Sequence, residues 1–336
     1  MFKLAVDVGY GLTKAISSRG KVLFPTVVAP AVVNTLDAVL PSGTRYRVRV
    51  RYDGDTEDYL IGDAALRSLS LSSFNTRSAE KPAELEKLAV LVGAYLVGAG
   101  DHSNEETHNK GTHLVVGLPL AYYKKQKLLL KKRLEEISAT LRVDNGDTRI
   151  ISFDKVSVLP QGVGVVMALD GQLPQNGLIG VIDVGTYTTD YLLLEVREGQ
   201  ILPLPDGCGS VEQGVDTMQR AVAQEFHKLT GFPLPAQMQP YVVEKARAGQ
   251  PVIYEGRSLE LGKVYQKAKR ETEQQISQSV KAAWGNRKGF IEKIALAGGG
   301  VLEFDHLAKE FPAGQVVDDP VFANARGFLH MISGTP

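Results

Sequence analysis

Apolar and polar positions along the 336-residue chain follow one plan that is laid out twice. The opening LAVDVGYGLTKAIS reads as an apolar strand, a glycine-rich turn and a second strand. β-Branched and alternating segments follow through residues 21–62, among them VLFPTVV and RYRVRVRYD, and predict further strands in an irregular subdomain. A helix is predicted over 82–97, with Pro82 in its first turn and Leu85, Leu88, Val92, Tyr95 and Leu96 at three- and four-residue spacing. The polar stretch 100–113 reads as a loop, and THLVVGLP as a buried strand stopped by Pro119. A second helix over 123–141 would turn Leu128, Leu134, Ile137 and Leu141 inward and its lysines outward. RIISF and VSVLP then read as strands, QGVGVVMAL as a short helix or crossover, and residues 171–177 (GQLPQNG) as a linker.

The second half repeats the plan. GLIGVIDVGTYTTDYLLLEV is again strand, glycine turn, strand. Helices are predicted over 214–230 and 261–284, with a Pro-rich break at 231–240 between them. IEKIALAGGGVL reads as a buried strand ending in three glycines, and PVFANARGFLHMI as a closing helix started by Pro320. AVDVGYGLTK and VIDVGTYTTD share strand, Asp-Val-Gly, turn and strand, and their aspartates, Asp7 and Asp183, lie about half a chain apart. That spacing marks the duplication of a whole domain.

Composition narrows the function classes. The chain is 43% hydrophobic, ample for large cores, and Lys plus Arg equals Asp plus Glu at 38 each. A neutral balance gives no bulk attraction to nucleic acid or an anionic membrane. The single cysteine, Cys208, rules out an internal disulfide and fits a reducing compartment. No leader and no apolar run of spanning length is evident, so a cytoplasmic protein is expected.

The two turns carry the candidate chemistry. An aspartate ending an apolar strand resists burial unless it is paired or near a cation. Glycines after it let the backbone turn sharply and present N–H groups to a ligand. The hydroxyls of Thr13, Thr186, Thr188 and Thr189 and the ammonium of Lys14 are natural phosphate donors. Asp190 closes the second turn and could equally pair with a nearby donor. A P-loop sequence is absent, and the Gly-x-Gly pairs at 9/11, 162/164 and 207/209 lack the third glycine of a dinucleotide site. Other features read blandly. His102, His108 and His113 fall in a polar stretch without metal-site spacing, Cys208 has no adjacent base, KKQKLLLKKR is a solvated helix face, and Trp284 is a packing anchor.

DVGYGLTK, VLPQGVGVV, DVGTYTTD, LAGGGVL and DPVFANARGF, in that order, resemble the motif set of the actin/Hsp70/sugar-kinase ATPase superfamily. Within it the chain is most similar to the bacterial and archaeal plasmid-segregation, ParM-like, actin-like proteins. The resemblance covers nearly the whole sequence and implies an α/β, ribonuclease H-like, duplicated two-domain fold with a nucleotide cleft between the domains. Domain I would span 1–170 with a smaller subdomain at about 20–80, domain II 171–318, and a closing helix over 319–336 would pack back on domain I.

The same resemblance implies ATP and Mg²⁺ as ligands. Asp7 and Asp183 would organise hydrated Mg²⁺ and belong with Gln161 to the catalytic set. Gly9, Gly11, Leu12, Thr13 and Lys14, with Gly185, Thr186, Tyr187 and Thr188, would meet the phosphates, and Gly298, Gly299 and Gly300 would lie along the adenosine. Gln161 would orient the attacking water; a neutral amide is no general base, which implies slow, timer-like hydrolysis. The implied function is an ATP-dependent filament, its partners being further copies of itself and a DNA-binding adaptor, with no direct nucleic-acid or membrane contact. The alternative is a small-molecule kinase of the same superfamily, which needs a carboxylate base beside an acceptor hydroxyl.

Overall fold

The computed structural model describes residues 1–31, 46–52, 54–68, 81–100, 111–169 and 173–334. The chain forms two compact units, Met1–Ala168 with Asn324–Pro336, and Leu169–Ala323.

The first unit begins with β1 (Phe2–Val8), β2 (Leu12–Ser17) and β3 (Gly20–Pro25), joined as an antiparallel meander. Four further elements follow, β4 (Val28–Pro30), β5 (Arg47–Tyr52), β6 (Asp55–Ile61) and the short α1 (Asp63–Leu66). Next come α2 (Ala83–Leu96), β7 (Thr112–Leu118), α3 (Leu120–Glu135), β8 (Ser138–Val143), β9 (Arg149–Ser152), β10 (Lys155–Pro160) and α4 (Val163–Met167). The main sheet runs β10-β7-β1-β2-β3, with β7 parallel to both β1 and β10. β1 and β7 are near-continuous apolar runs because helices cover both faces of a parallel core. A second sheet, β4-β6-β5-β8-β9, combines strands from before α2 with two from after α3.

The predicted helix over 82–97 forms, with Pro82 as N-cap and Leu85, Leu88, Val92 and Tyr95 buried. The helix expected over 123–141 is corrected. It spans Leu120–Glu135 and gives way to β8, in which Ala139, Leu141 and Val143 are buried in alternation with Ser138, Thr140 and Arg142. Period two replaces the helical period there, so Leu141 is a strand core residue. Leu128 is 74% exposed, and the inward stripe is Leu130 and Leu134. Three consecutive leucines cover about 200° of helix circumference, too wide for all of them to face in.

The second unit carries β11 (Gly177–Val184), β12 (Thr189–Arg197), β13 (Gln200–Pro203), β14 (Gly209–Val211), α5 (Asp216–Thr230) and α6 (Gln239–Arg247). It continues with β15 (Val252–Tyr254), β16 (Arg257–Leu259), α7 (Gly262–Trp284), β17 (Ile291–Ala297) and β18 (Gly314–Val316). The last helix is α8 (Ala323–Ser333). The main sheet of the second unit is β13-β12-β11-β17-β18, with β14 on β12. Strand for strand this is the order of the first sheet, β3-β2-β1-β7-β10, with the same parallel and antiparallel neighbours. The break expected at 231–240 ends in α6, and the small hairpin β15-β16 was not predicted.

Trp284 organises the second core. It is fully buried, donates its indole N–H to Gly207 O at 3.1 Å, and meets the Phe311 ring edge-on at 5.8 Å between centroids. A β-carbon on Gly180 of β11 would come within 2.7 Å of the indole, so strand and ring pack this closely only with glycine there. In the first unit α8 lays Phe328 against Ala5 and Val115 on the sheet.

Candidate functional site

Asp7 is the penultimate residue of β1 and is 3% exposed. Its cross-strand neighbour is Lys14, whose Nζ donates to Oδ2 at 3.0 Å. Gln161 Nε2 donates to Oδ1 at 2.6 Å. Gln161 stands directly after β10, and its backbone N–H bonds Leu118 O at the end of the neighbouring β7, at 2.7 Å. Three sheet strands thus deliver an aspartate, a lysine and a glutamine to one point. Between Asp7 and Lys14 the chain reverses in four residues, Gly9 N–H bonding Leu12 O at 3.0 Å. A β-carbon on Gly9 would lie 2.7 Å from that carbonyl and 3.0 Å from Lys14 Nζ. The turn therefore needs glycine for closeness, and Gly11, Leu12 and Lys14 stay partly open beside it.

The second turn repeats this in detail. Gly185 N–H bonds Thr188 O at 2.8 Å, and Val184 pairs with Thr189 where Val8 pairs with Thr13. Thr186, Tyr187 and Thr188 form the partly exposed turn itself. The position of Lys14 is taken by Asp190, which lies directly across from Asp183. The two carboxylates are 9% and 4% exposed, so the first turn faces its aspartate with a cation and the second with another acid.

Two of the four hydroxyls singled out as phosphate donors are turned elsewhere. Thr13 and Thr189 are fully buried; Thr13 Oγ1 shares a hydrogen bond with Thr26 Oγ1 at 2.9 Å, and Thr189 Oγ1 donates to Gln213 O at 2.9 Å. The strand period explains the correction: the residue after the turn points into the sheet core, and its neighbour points out. The side chain of Thr13 locks the turn to the next segment rather than facing a ligand.

Ala297, the last residue of β17, pairs with Asp183, so the glycine run begins beside the second turn. Gly298 has φ 83°, and a β-carbon there would press on Val184 O and on Asp183 Oδ1. Gly300 is packed likewise against Val184, whereas Gly299 faces open space. Gly214, unmarked by any sequence motif, closes the same corner. Val215 and Asp216 donate their N–H groups to Gly185 O and Thr186 O at 3.3 and 2.8 Å, and a β-carbon on Gly214 would strike both carbonyls.

Sequence reasoning also missed Lys81. Its Nζ lies 4.4 Å from the centroid of the Tyr10 ring, at the tip of the first turn. Burial pulls its pKa down, Glu86 and Asp7 push it back up, and Lys14 opposes them. Burial raises the Glu86 carboxyl, against the pull of Lys81 and Arg133. The one sequence signal was a lysine placed just before the Pro82 that starts α2, at the end where a helix repels cations. Asn324 was missed too; its Oδ1 accepts from Gly162 N–H at 2.8 Å and so supports the residue after Gln161.

Other sequence candidates are now located. His113 lies in β7 rather than in a loop, buried and 2.9 Å from Ser157 Oγ, while His102 and His108 lie outside the described residues. Cys208 donates to Leu204 O and Leu193 O, and burial raises its pKa, which keeps it a thiol. Among the described residues no three His, Cys, Asp or Glu side chains gather as a metal cage, and no helix is long and apolar enough to cross a membrane. Both Asp7 oxygens already accept hydrogen bonds, so a cation there would be held through its own water, which suits Mg²⁺.

A sheet of this order, made twice with an Asp-Val-Gly hairpin leaving its central strand each time, is the duplicated architecture of the actin fold. Residues 5–164 match the family described as actin like proteins N terminal domain, and residues 181–309 the family described as archaeal actin homologue MreB-like, C-terminal. The chain belongs to the actin-like protein family. Archaeal actin homologues of Thermoplasma acidophilum and Thermoplasma volcanium are each 25% identical to it over 342 residues, covering 98% of both chains. Among solved structures, a 15-stranded ParM filament from Clostridium botulinum superposes with TM-score 0.88 at 25% identity over 99% of both chains. An archaeal actin homologue in complex with ADP superposes with TM-score 0.75 at 23% identity over the full length of both.

Proposed function

We propose that this protein binds and slowly hydrolyses Mg-ATP and that the nucleotide controls its polymerisation into filaments, with plasmid DNA as the cargo moved in the cytoplasm. The observation that carries the reading is the pair of equivalent Asp-Gly turns, the first with its aspartate clamped by Lys14 and Gln161. The ParM filament and the ADP complex among similar structures support it.

In this reading the open N–H groups around Gly9, Gly11 and Leu12, and around Gly185, Thr186, Tyr187 and Thr188, receive the phosphates, and Lys14 supplies positive charge. Gly298, Gly299 and Gly300 border the nucleoside, with Gly299 facing open space. Mg²⁺, when bound, would screen phosphate charge and hold ordered water, with Asp7 and Asp183 accepting from that water. Gln161 then exchanges its bond to Asp7 for one to the attacking water and holds it in line without removing its proton. Copies of the chain add head to tail, the non-closing geometry that yields a filament, and a separate adaptor carries the DNA.

The test is purified protein titrated with Mg-ATP and followed by light scattering and pelleting. Nucleotide-dependent assembly followed by phosphate release and disassembly is expected. No assembly across salt and crowding conditions would remove the filament reading, and a phosphorylated small-molecule product would replace it with a kinase.

A further inference from the structure

Lys81 stands where a cation is least welcome. It precedes Pro82, the N-cap of α2, so it faces the positive end of a 14-residue helix. It is partly buried, yet among the described residues it makes no ion pair. Glu86, the acid on its own helix that acts on it most, is ion-paired with Arg133 at 3.7 Å. What holds the ammonium is the face of Tyr10, 4.4 Å from Nζ to centroid. Tyr10 lies between Gly9 and Gly11, so the ring fixes Lys81 over the tip of the first turn.

A cation in that place is opposed by desolvation, by the helix end and by Lys14. A ring face offsets only part of this. Glu86 and Asp7 supply part of the opposing negative charge, and the phosphates of a nucleotide would supply more. Lys14 is already engaged with Asp7. An anion entering at the tip of the turn therefore meets Lys81 as a cation without an ion pair among the described residues.

We propose that Lys81 is a second phosphate-binding cation of the first turn and that it selects nucleoside triphosphate over diphosphate. The inference rests on the nucleotide reading above and adds to it the group that senses the terminal phosphate. The more phosphate charge the ligand carries, the more fully it compensates a desolvated ammonium. Lys14 and the turn amides serve both nucleotides; Lys81 adds its share only for the longer one. Tyr10 holds the ammonium in place and touches no phosphate.

The experiment measures affinities for Mg-ATP and Mg-ADP, by calorimetry, on the full chain and its Lys81→Met and Lys81→Arg variants. Lys81→Met should weaken ATP about tenfold relative to ADP, the loss of one charge-assisted hydrogen bond, and Lys81→Arg should restore most of the ratio. Equal weakening of both nucleotides would make Lys81 structural and overturn the proposal, as would no change in either. If Lys81→Met does not fold, Tyr10→Leu releases the same ammonium and should lower the same ratio; a ratio unmoved by it overturns the proposal. Wild-type protein that is folded by circular dichroism and binds neither nucleotide would instead remove the underlying reading, and this inference with it.

Discussion

Gln161 Nε2 donates to Asp7 Oδ1 at 2.6 Å although 154 residues separate the two in sequence. The bond joins the end of β10 to the end of β1 across β7, so the amide is held by sheet geometry rather than by a loop. Gln161→Ala should therefore leave the fold and nucleotide-driven light scattering intact while slowing phosphate release by about a hundredfold, the scale of a misplaced reactant. Phosphate release at the wild-type rate would take Gln161 out of the mechanism.

Neighbouring glycines separate packing from conformational freedom. Gly298 needs both a positive φ and the absence of a side chain, since a β-carbon would meet Asp183 and Val184; Gly299 needs neither. Gly298→Ala should cost roughly 1–3 kcal/mol and lower the melting midpoint by several degrees. Gly299→Ala should melt within about a degree of wild type. Equal midpoints for the two variants would show that the corner relaxes freely.

The two Asp-Val-Gly turns were legible because strand period, aspartate and glycine all act within ten residues. The repeated sheet order followed from them. What stayed hidden was set by contacts distant in sequence. β8 joins β5 across the chain and carries β9 beside it, so no local pattern announces their sheet, and the leucines of 128–130 gave α3 a false inner face. Thr13 and Thr189 looked like ligand donors because a sequence lists hydroxyls without their direction; the strand period turned both inward. Lys81 was invisible since the 4.4 Å approach to Tyr10 spans 71 residues.

His113 predicts an acid-sensitive fold. Burial first, then Lys155 and Lys3, lower its pKa from 6.5 in the folded chain. The unfolded chain then binds the extra proton first, so stability is full above about pH 6.5 and falls as pH drops below it. Denaturant midpoints at pH 5 and pH 8 should differ more for wild type than for His113→Asn, which cannot titrate. An identical pH dependence for the two would assign the acid sensitivity to other groups.

Trp284 is the one tryptophan and is wholly buried, so its fluorescence reports the second core. Trp284→Phe should cost about 2–4 kcal/mol, from lost contact area and a Gly207 carbonyl left without its donor. The wild-type emission should be blue-shifted and move red only in the main unfolding transition. A red-shifted native spectrum would contradict the buried position.

Asp183 offers the sharpest contrast between stability and function. It faces Asp190 directly across the β11-β12 pair, and both carboxylates are buried. Like charges directly opposed on a sheet destabilise it. In the equivalent place of the first turn the opposing residue is Lys14, so the fold accommodates a neutralised pair. Asp183→Asn keeps the shape and removes the charge. It should abolish ATP hydrolysis while the melting midpoint stays level or rises, because the repulsion goes with the function it supported. Retained hydrolysis together with a lowered midpoint is the opposite signature, and it would make the second turn a structural element.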